Sequence, residues 1–180
     1  ADNRIALCAD VSPDGKRLAS GARDQKTRKV WDLTTGREIV TINHDLKPGH
    51  QWSLVFSPDG KTLATGGGEL SRSGDIIIFD VATGKATQTW KEKHTDTVLC
   101  LDFSPDGKRL ASGAADKIAR VTDIASGKQT NLFEGHTHHV LGVSFKADGS
   151  RVASSGADNA IKVWNMETGE QFRTIANYAK

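Results

Sequence analysis

The sequence is short of most residues that would steer it toward a particular chemistry. Cysteine occurs twice, at Cys8 and Cys100, too few for the disulfide framework of a small secreted domain. There are four prolines and one methionine, and aromatics make up 6%, a composition that is neither collagenous nor disordered. The longest apolar runs, such as Ile5–Ala9 and Ile76–Phe79, fall far below the about 20 residues of a membrane-spanning helix. No secretory signal opens the sequence, and the expected location is the cytoplasm; the sequence also has no Asn-x-Ser/Thr acceptor. No excess of one charge exists either: 24 Lys and Arg stand against 22 Asp and Glu. Without a basic stripe, neither nucleic acid nor a membrane surface is an expected partner. Helical periodicity is also missing, since no useful window repeats its apolar residues at three- and four-residue spacing.

What the 180 residues do contain is a repeat. Ser-Pro-Asp-Gly stands at Ser12–Gly15, Ser57–Gly60 and Ser104–Gly107, and again, altered, at Lys146–Gly149, with spacings of 45, 47 and 42 residues. Proline suits the second position of a type I turn, Asp the third, and Gly the left-handed position that follows. Short β-branched runs flank each turn and predict antiparallel strands. In the last repeat these are Val140–Phe145, Arg151–Ser155, Ala160–Asn165 and Gln171–Ile175. A second set of turns, Thr34–Gly36, Ala82–Gly84, Ala125–Gly127 and Glu167–Gly169, separates the third and fourth strands of each repeat. The fold class is therefore all-β: four four-stranded antiparallel sheets in series, in one unit over 1–180 divided near 1–44, 45–93, 94–135 and 136–180. Cys8 and Cys100 occupy the same place in two repeats and are expected to be buried, reduced strand residues.

Four strands per 42–47 residues, with Gly135-His136 near the start of a repeat and Trp31-Asp32 or Trp164-Asn165 at the end of a third strand, resemble the WD-repeat β-propeller family. Phe79-Asp80 is a variant of the signature, and Thr122-Asp123 lacks its aromatic. The resemblance implies a hydrogen-bonded set in each repeat: a His before the first strand, Ser or Thr on the second, Asp in the next turn, and the third-strand Trp. The last repeat has all four, His136, Ser154, Asp158 and Trp164. The third keeps His94, Ser112 and Asp116, and the first keeps Ser20, Asp24 and Trp31. The second has Thr65 and Phe79, with Glu69 at the Asp position and an irregular insertion around Leu70–Gly74. A Ser/His/Asp trio invites a hydrolase reading, but recurrence at the repeat period assigns it to bracing the blades, and no catalytic residue is assigned.

Other candidates weigh less. His136, His138 and His139 lie within four residues, yet neighbouring strand residues point to opposite faces, so no metal is expected there. Gly60-Lys61-Thr62 mimics the end of a phosphate loop but has Val55 where such a loop needs Gly. Gly66-Gly67-Gly68 is expected to supply turn flexibility, and no cofactor is expected. Recognition of a protein or peptide by loops remains, as the family resemblance implies. The candidate positions are Arg23, Lys47, His50, Gln51, Glu69, Arg72, Asp96, His138 and His139.

Propellers typically close with four to eight blades, and family members are expected to use seven or eight. Four such blades sweep about half a circle, which leaves apolar sheet faces open at both ends. Three arrangements follow: pairing of two copies into an eight-bladed ring, a part of a longer propeller, or a closed four-bladed ring.

Overall fold

The computed structural model describes residues 6–22, 27–43 and 50–176. They form sixteen strands in four sheets, each built from four consecutive strands in chain order. The first blade comprises β1 (Ala6–Val11), β2 (Arg17–Ala22), β3 (Thr27–Asp32) and β4 (Glu38–Asn43). The second comprises β5 (His50–Phe56), β6 (Thr62–Glu69), β7 (Ser73–Asp80) and β8 (Ala86–His94). The third comprises β9 (Val98–Phe103), β10 (Arg109–Ala114), β11 (Ala119–Asp123) and β12 (Gln129–Phe133). The fourth comprises β13 (Val140–Phe145), β14 (Arg151–Gly156), β15 (Ala160–Asn165) and β16 (Gln171–Ala176). Every pairing is antiparallel.

The two kinds of turn form for readable reasons. In Ser12–Gly15 the Gly15 N–H donates to the Ser12 carbonyl, and Ser12 Oγ donates to the Asp14 carboxylate at 2.5 Å. Asp14 also accepts the Lys16 N–H, and Ser12 Oγ accepts the Arg17 N–H. The same bonds recur around Ser57 and Ser104, and the Ser hydroxyl is the leading reason that the Asp14, Asp59 and Asp106 carboxyls lie below their ordinary range. The acidic residue that closes each third strand caps the next turn. Asp32, Asp80 and Asp123 accept the N–H groups of Thr35, Thr83 and Ser126, and Asn165 accepts that of Thr168.

Side chains alternate across each strand, so every sheet has two apolar faces, and where two blades meet each covers the other's. Three hydrophobic cores result. Ala19, Val30 and Ile42 of the first blade meet Leu54, Leu63 and Phe79 of the second. Ala64, Ile76, Ile78 and Trp90 meet Val98, Leu101, Phe103 and Leu110. Ala111, Ala119, Val121 and Phe133 meet Val140, Phe145, Val152 and Trp164. The innermost strands β1, β5, β9 and β13 are in contact in that order. A closed four-bladed ring would add a core between the fourth blade and the first; among the described residues there is none.

The second blade departs from the expected loops. The chain around Leu70–Gly74 is the tip of a long hairpin, with strand pairing kept from Thr62↔Asp80 to Glu69↔Ser73. Gly66–Gly68 thus lies inside β6 and supplies strand, not turn. Gly68 sits at φ 146°, and a Cβ there would come within 1.9 Å of the Ser73 carbonyl oxygen, so only glycine lets the two strands approach. His94, expected ahead of the first strand of the third blade, ends β8 of the second, opposite Gly74. The neighbouring stretch 44–49, like Arg23 and Asp24, lies outside the described residues.

Close approach also sets the third joint. A Cβ on Gly113 would lie 2.5 Å from Val140 Cγ1 and 2.7 Å from Cys100 Sγ. Gly113→Ala is expected to lower stability by about 1–3 kcal/mol through overpacking. Urea unfolding checks this as a lower midpoint at unchanged slope; an unchanged midpoint would mean that β10 and β13 can separate at no cost.

Candidate functional site

In the fourth blade the expected set assembles as a relay of single hydrogen bonds. The indole N–H of Trp164 donates to Ser154 Oγ at 2.9 Å, and Ser154 Oγ lies 2.8 Å from His136 Nε2. His136 Nδ1 lies 3.0 Å from both Asp158 oxygens. With the imidazole proton on Nδ1, Ser154 donates to Nε2 and His136 donates to Asp158, so every member is satisfied. Asp158 also accepts the N–H groups of Thr137 and Ala160. Burial alone would raise its carboxyl, but the Thr137 N–H and His136 hold it below the ordinary range. Trp164 further stacks on Phe133 of the preceding blade, with centroids 5.1 Å apart and planes 12° apart.

The third blade lacks the Trp but keeps the rest. His94 Nε2 lies 2.8 Å from Ser112 Oγ, and Nδ1 lies 3.0 Å from Asp116. Thr122 is buried at the place of the Trp, and the preceding blade supplies Trp90 to the core between the two. Arg120, four residues beyond Asp116, ion-pairs with it at 2.8 Å. Sequence reasoning missed this residue, although an Arg two positions before the signature Thr122-Asp123 is the signal that could have found it. Burial pushes the His94 pKa down, against the pull of Asp116. Burial would raise Asp116, yet His94 and Arg120 bring it to about 2.

In the first blade Trp31 Nε1 donates to Ser20 Oγ at 2.9 Å, and Asp24 is outside the described residues. In the second, Thr65 and Phe79 are buried without a His partner in the described set. The Ser/His/Asp spacing resembles that of a hydrolytic triad, but Ser112 and Ser154 are each 1% exposed. Their hydroxyls are sealed between blades, where no substrate carbonyl can approach. Of the two cysteines expected to be buried, Cys100 is, and Cys8 is half-buried: burial pushes the Cys100 thiol up to about 12 and raises Cys8, and both are free thiols.

The proposed recognition residues divide into groups. Arg23 and Lys47 lie outside the described residues, as do the side chains of His50 and Gln51, whose backbones pair with Gly68 and Gly67. Glu69 and Arg72 come together at the hairpin tip, paired at 2.6 Å and exposed. Asp96 joins them by accepting the Ser71 N–H at 2.7 Å, which ties the hairpin to the next blade. His138 and His139 stand one blade further on, with ring centroids 4.4 Å apart. No group of three or more His, Cys, Asp or Glu among the described residues is placed to hold a metal ion.

The family of the WD domain, G-beta repeat, matches residues 2–32, 39–80, 84–123 and 127–165. The chain belongs to the WD-repeat family. Each of the last three matches starts on or just before an outer strand and ends with the third strand of the following blade, so the WD sequence repeat is out of phase with the sheets. Among curated WD-repeat relatives, the chain is 34% identical over 79 residues to WD repeat-containing protein SL1-17 of Schistosoma mansoni, covering 44% of this chain and 24% of that protein. It is 43% identical over 61 residues to Protein groucho of Drosophila melanogaster, covering 34% and 8%. It is 27% identical over 114 residues to U3 small nucleolar RNA-associated protein 12 of Saccharomyces cerevisiae, covering 63% and 11%. The matches span less than a quarter of each of these relatives.

Two outcomes test the bracing. Trp164→Phe keeps a ring on Phe133 but removes the N–H to Ser154, and is expected to cost about 1 kcal/mol in urea unfolding. Asp116 has a folded pKa below its ordinary 3.8, so its ionised form stabilises the fold above that value, and the contribution is lost as pH falls from 3.8 toward about 2. Asp116→Asn is therefore expected to be less stable by about 2 kcal/mol at neutral pH, with the gap to the parent closing across that acid window. A gap independent of pH would remove the electrostatic account.

Proposed function

We propose that this WD-repeat chain is a non-catalytic scaffold for protein partners, and that two copies complete an eight-bladed ring. The observation that carries the ring is the pair of uncovered apolar faces. Val11 and Leu33 are 48% and 45% exposed on the leading face of the first blade, and Ile175 is 46% exposed on the trailing face of the fourth. Their counterparts at the inner joints are buried: Phe103, Val81 and Trp90, for example.

Joint chemistry supports the pairing. Ala153, Ile161 and Val163 of the fourth blade stand where Ala64, Ile76 and Ile78 stand in the second, by strand register. The second blade uses that face to receive the third, whose Ser104–Ala114 is identical to Ser12–Ala22 of the first. A face resembling that of the second blade thus awaits a blade resembling the third, and the first blade of another copy fits. For scaffolding, the support is the cluster of Glu69, Arg72 and Asp96 with the exposed Leu70 at the hairpin tip; loops free of the sheet geometry are where recognition concentrates. A second reading, in which further blades of a longer polypeptide cover the open faces, is favoured by the short span of the chain against its relatives.

Light scattering of the isolated chain separates the two. The ring of two copies is expected to give twice the 19.4 kDa chain mass, and Val163→Asp to return it to a monomer. A monomeric parent would sink the self-pairing and leave the longer propeller.

A further inference from the structure

The turns Ser12–Gly15, Ser57–Gly60, Ser104–Gly107 and Lys146–Gly149 lie side by side along one rim of the arc, and an arginine is wedged between neighbours at two of the three joints. Arg17, on β2, lies with its guanidinium carbon 5.8 Å from the Phe56 ring of the second blade. Its terminal nitrogen is 2.8 Å from where a Cβ on Gly60 would be, and 3.6 Å from the Asp14 carboxylate of its own blade. Arg109, on β10, repeats this at the third joint. It lies 5.7 Å from the Phe145 ring, 3.1 Å from the Cβ site of Gly149, and donates to the Gly149 carbonyl at 3.3 Å. Gly60 and Gly149 are buried beneath these side chains.

The middle joint has every component except the arginine. Thr62 occupies its register position, directly after Gly60-Lys61 as Arg17 follows Gly15-Lys16. The Cβ site of Gly107 meets Pro58 at 3.7 Å, as that of Gly60 meets Pro13, and no guanidinium. Gly107 is correspondingly half-exposed. A groove opens there, lined by Thr62, Phe103, Pro58, Asp59 and Gly107. Among the described residues no ion pair reaches Asp59, whereas Asp14 has Arg17.

We propose that this groove is an arginine socket, filled in trans by an arginine side chain of a partner protein. The two internal arginines together define the occupant: a flat cation set against a buried Phe, donating to a glycine carbonyl as Arg109 does and standing beside a carboxylate as Arg17 does. Lysine would match the charge but not the plane. The inference stands whether or not the ring closes by self-pairing, because the socket lies wholly between the second and third blades.

Titration of the isotope-labelled chain with acetyl-Gly-Arg-Gly-amide, followed by backbone amide shifts, tests it. Saturable shifts are expected at Gly107, Asp59 and Thr62, with the lysine and citrulline analogues weaker by about tenfold. Thr62→Arg, which supplies the missing side chain in cis, is expected to abolish the response. Asp59→Asn keeps an oxygen for the Ser57 and Lys61 bonds and is expected to erase the preference for arginine over citrulline. Absence of saturable shifts at Gly107, an undiminished response in Thr62→Arg, or an intact preference in Asp59→Asn would each overturn the socket. None of these readouts depends on the mass of the assembly, so failure here and failure of the ring are separable.

Discussion

Face-to-face burial of sheets is the constraint on which the rest of this structure depends. A four-stranded sheet with two apolar faces cannot stand alone in water, since about 25 cal/mol is lost for each Å² of apolar surface left exposed. Adding a neighbour to one face only moves the problem to the next face. The series of blades is therefore a chain of obligations, each met by the next repeat, as nearest-neighbour stacking requires in repeat proteins. The close approach of β13 to Gly113 and the Phe133–Trp164 stack show how tightly each obligation is met.

The polar sets serve that burial. Stacking blades closes water away from hydroxyls and imidazoles that would each be costly if left unpaired. His136, Ser154, Asp158 and Trp164 resolve this by running donors in one direction, from indole to carboxylate, so the single charge sits at the rim, where Thr137 and Ala160 also donate to it. In the third blade Arg120 offsets the charge of Asp116, and Trp90 of the preceding blade joins the core shared by the two. Two solutions to one problem, one aromatic and one ionic, thus stand in adjacent blades. Between blades, Asp10 and Asp102 accept the Phe56 and Phe145 N–H groups at 2.7 Å, carrying the bonding across the joints.

Much of this was legible because the governing signals are local. Four turns with Gly at left-handed positions and strands of alternating polarity define four sheets, and the family resemblance then placed Ser154 and Asp158. The β6–β7 hairpin was misread for an equally physical reason. Glycines carry opposite meanings in a turn and in a strand whose partner approaches closely, and only the neighbour at Ser73 decides between them. Arg120, Asp102 and the wedged arginines were not legible as a class, because their roles depend on groups in other strands or other blades. A polar strand residue reads as solvated until the adjacent sheet is known.

Once the joints are compared, the chain has a second period, of two blades. The first and third blades each carry Cys, Asp and Arg at matching register, at Cys8 and Cys100, Asp10 and Asp102, Arg17 and Arg109, whereas a close-packed Gly recurs in all of the first three blades, at Gly21, Gly66 and Gly113. The second blade presents Val55, Thr62 and the larger aliphatics Ile76 and Ile78 instead. Small residues with a clamping Arg and Asp therefore alternate with a greasier joint that leaves the arginine place empty. The fourth blade is intermediate: its Ala153, Ile161 and Val163 follow the second, while Arg151 stands at the clamping position and lies over Phe172 of its own sheet at 3.6 Å. Arg17 and Arg109 lie instead against Phe56 and Phe145 of the neighbouring blades. The trailing face of the fourth blade thus combines the aliphatic surface of one type with the arginine of the other, and what sets it apart from the middle joint is a cation already in place.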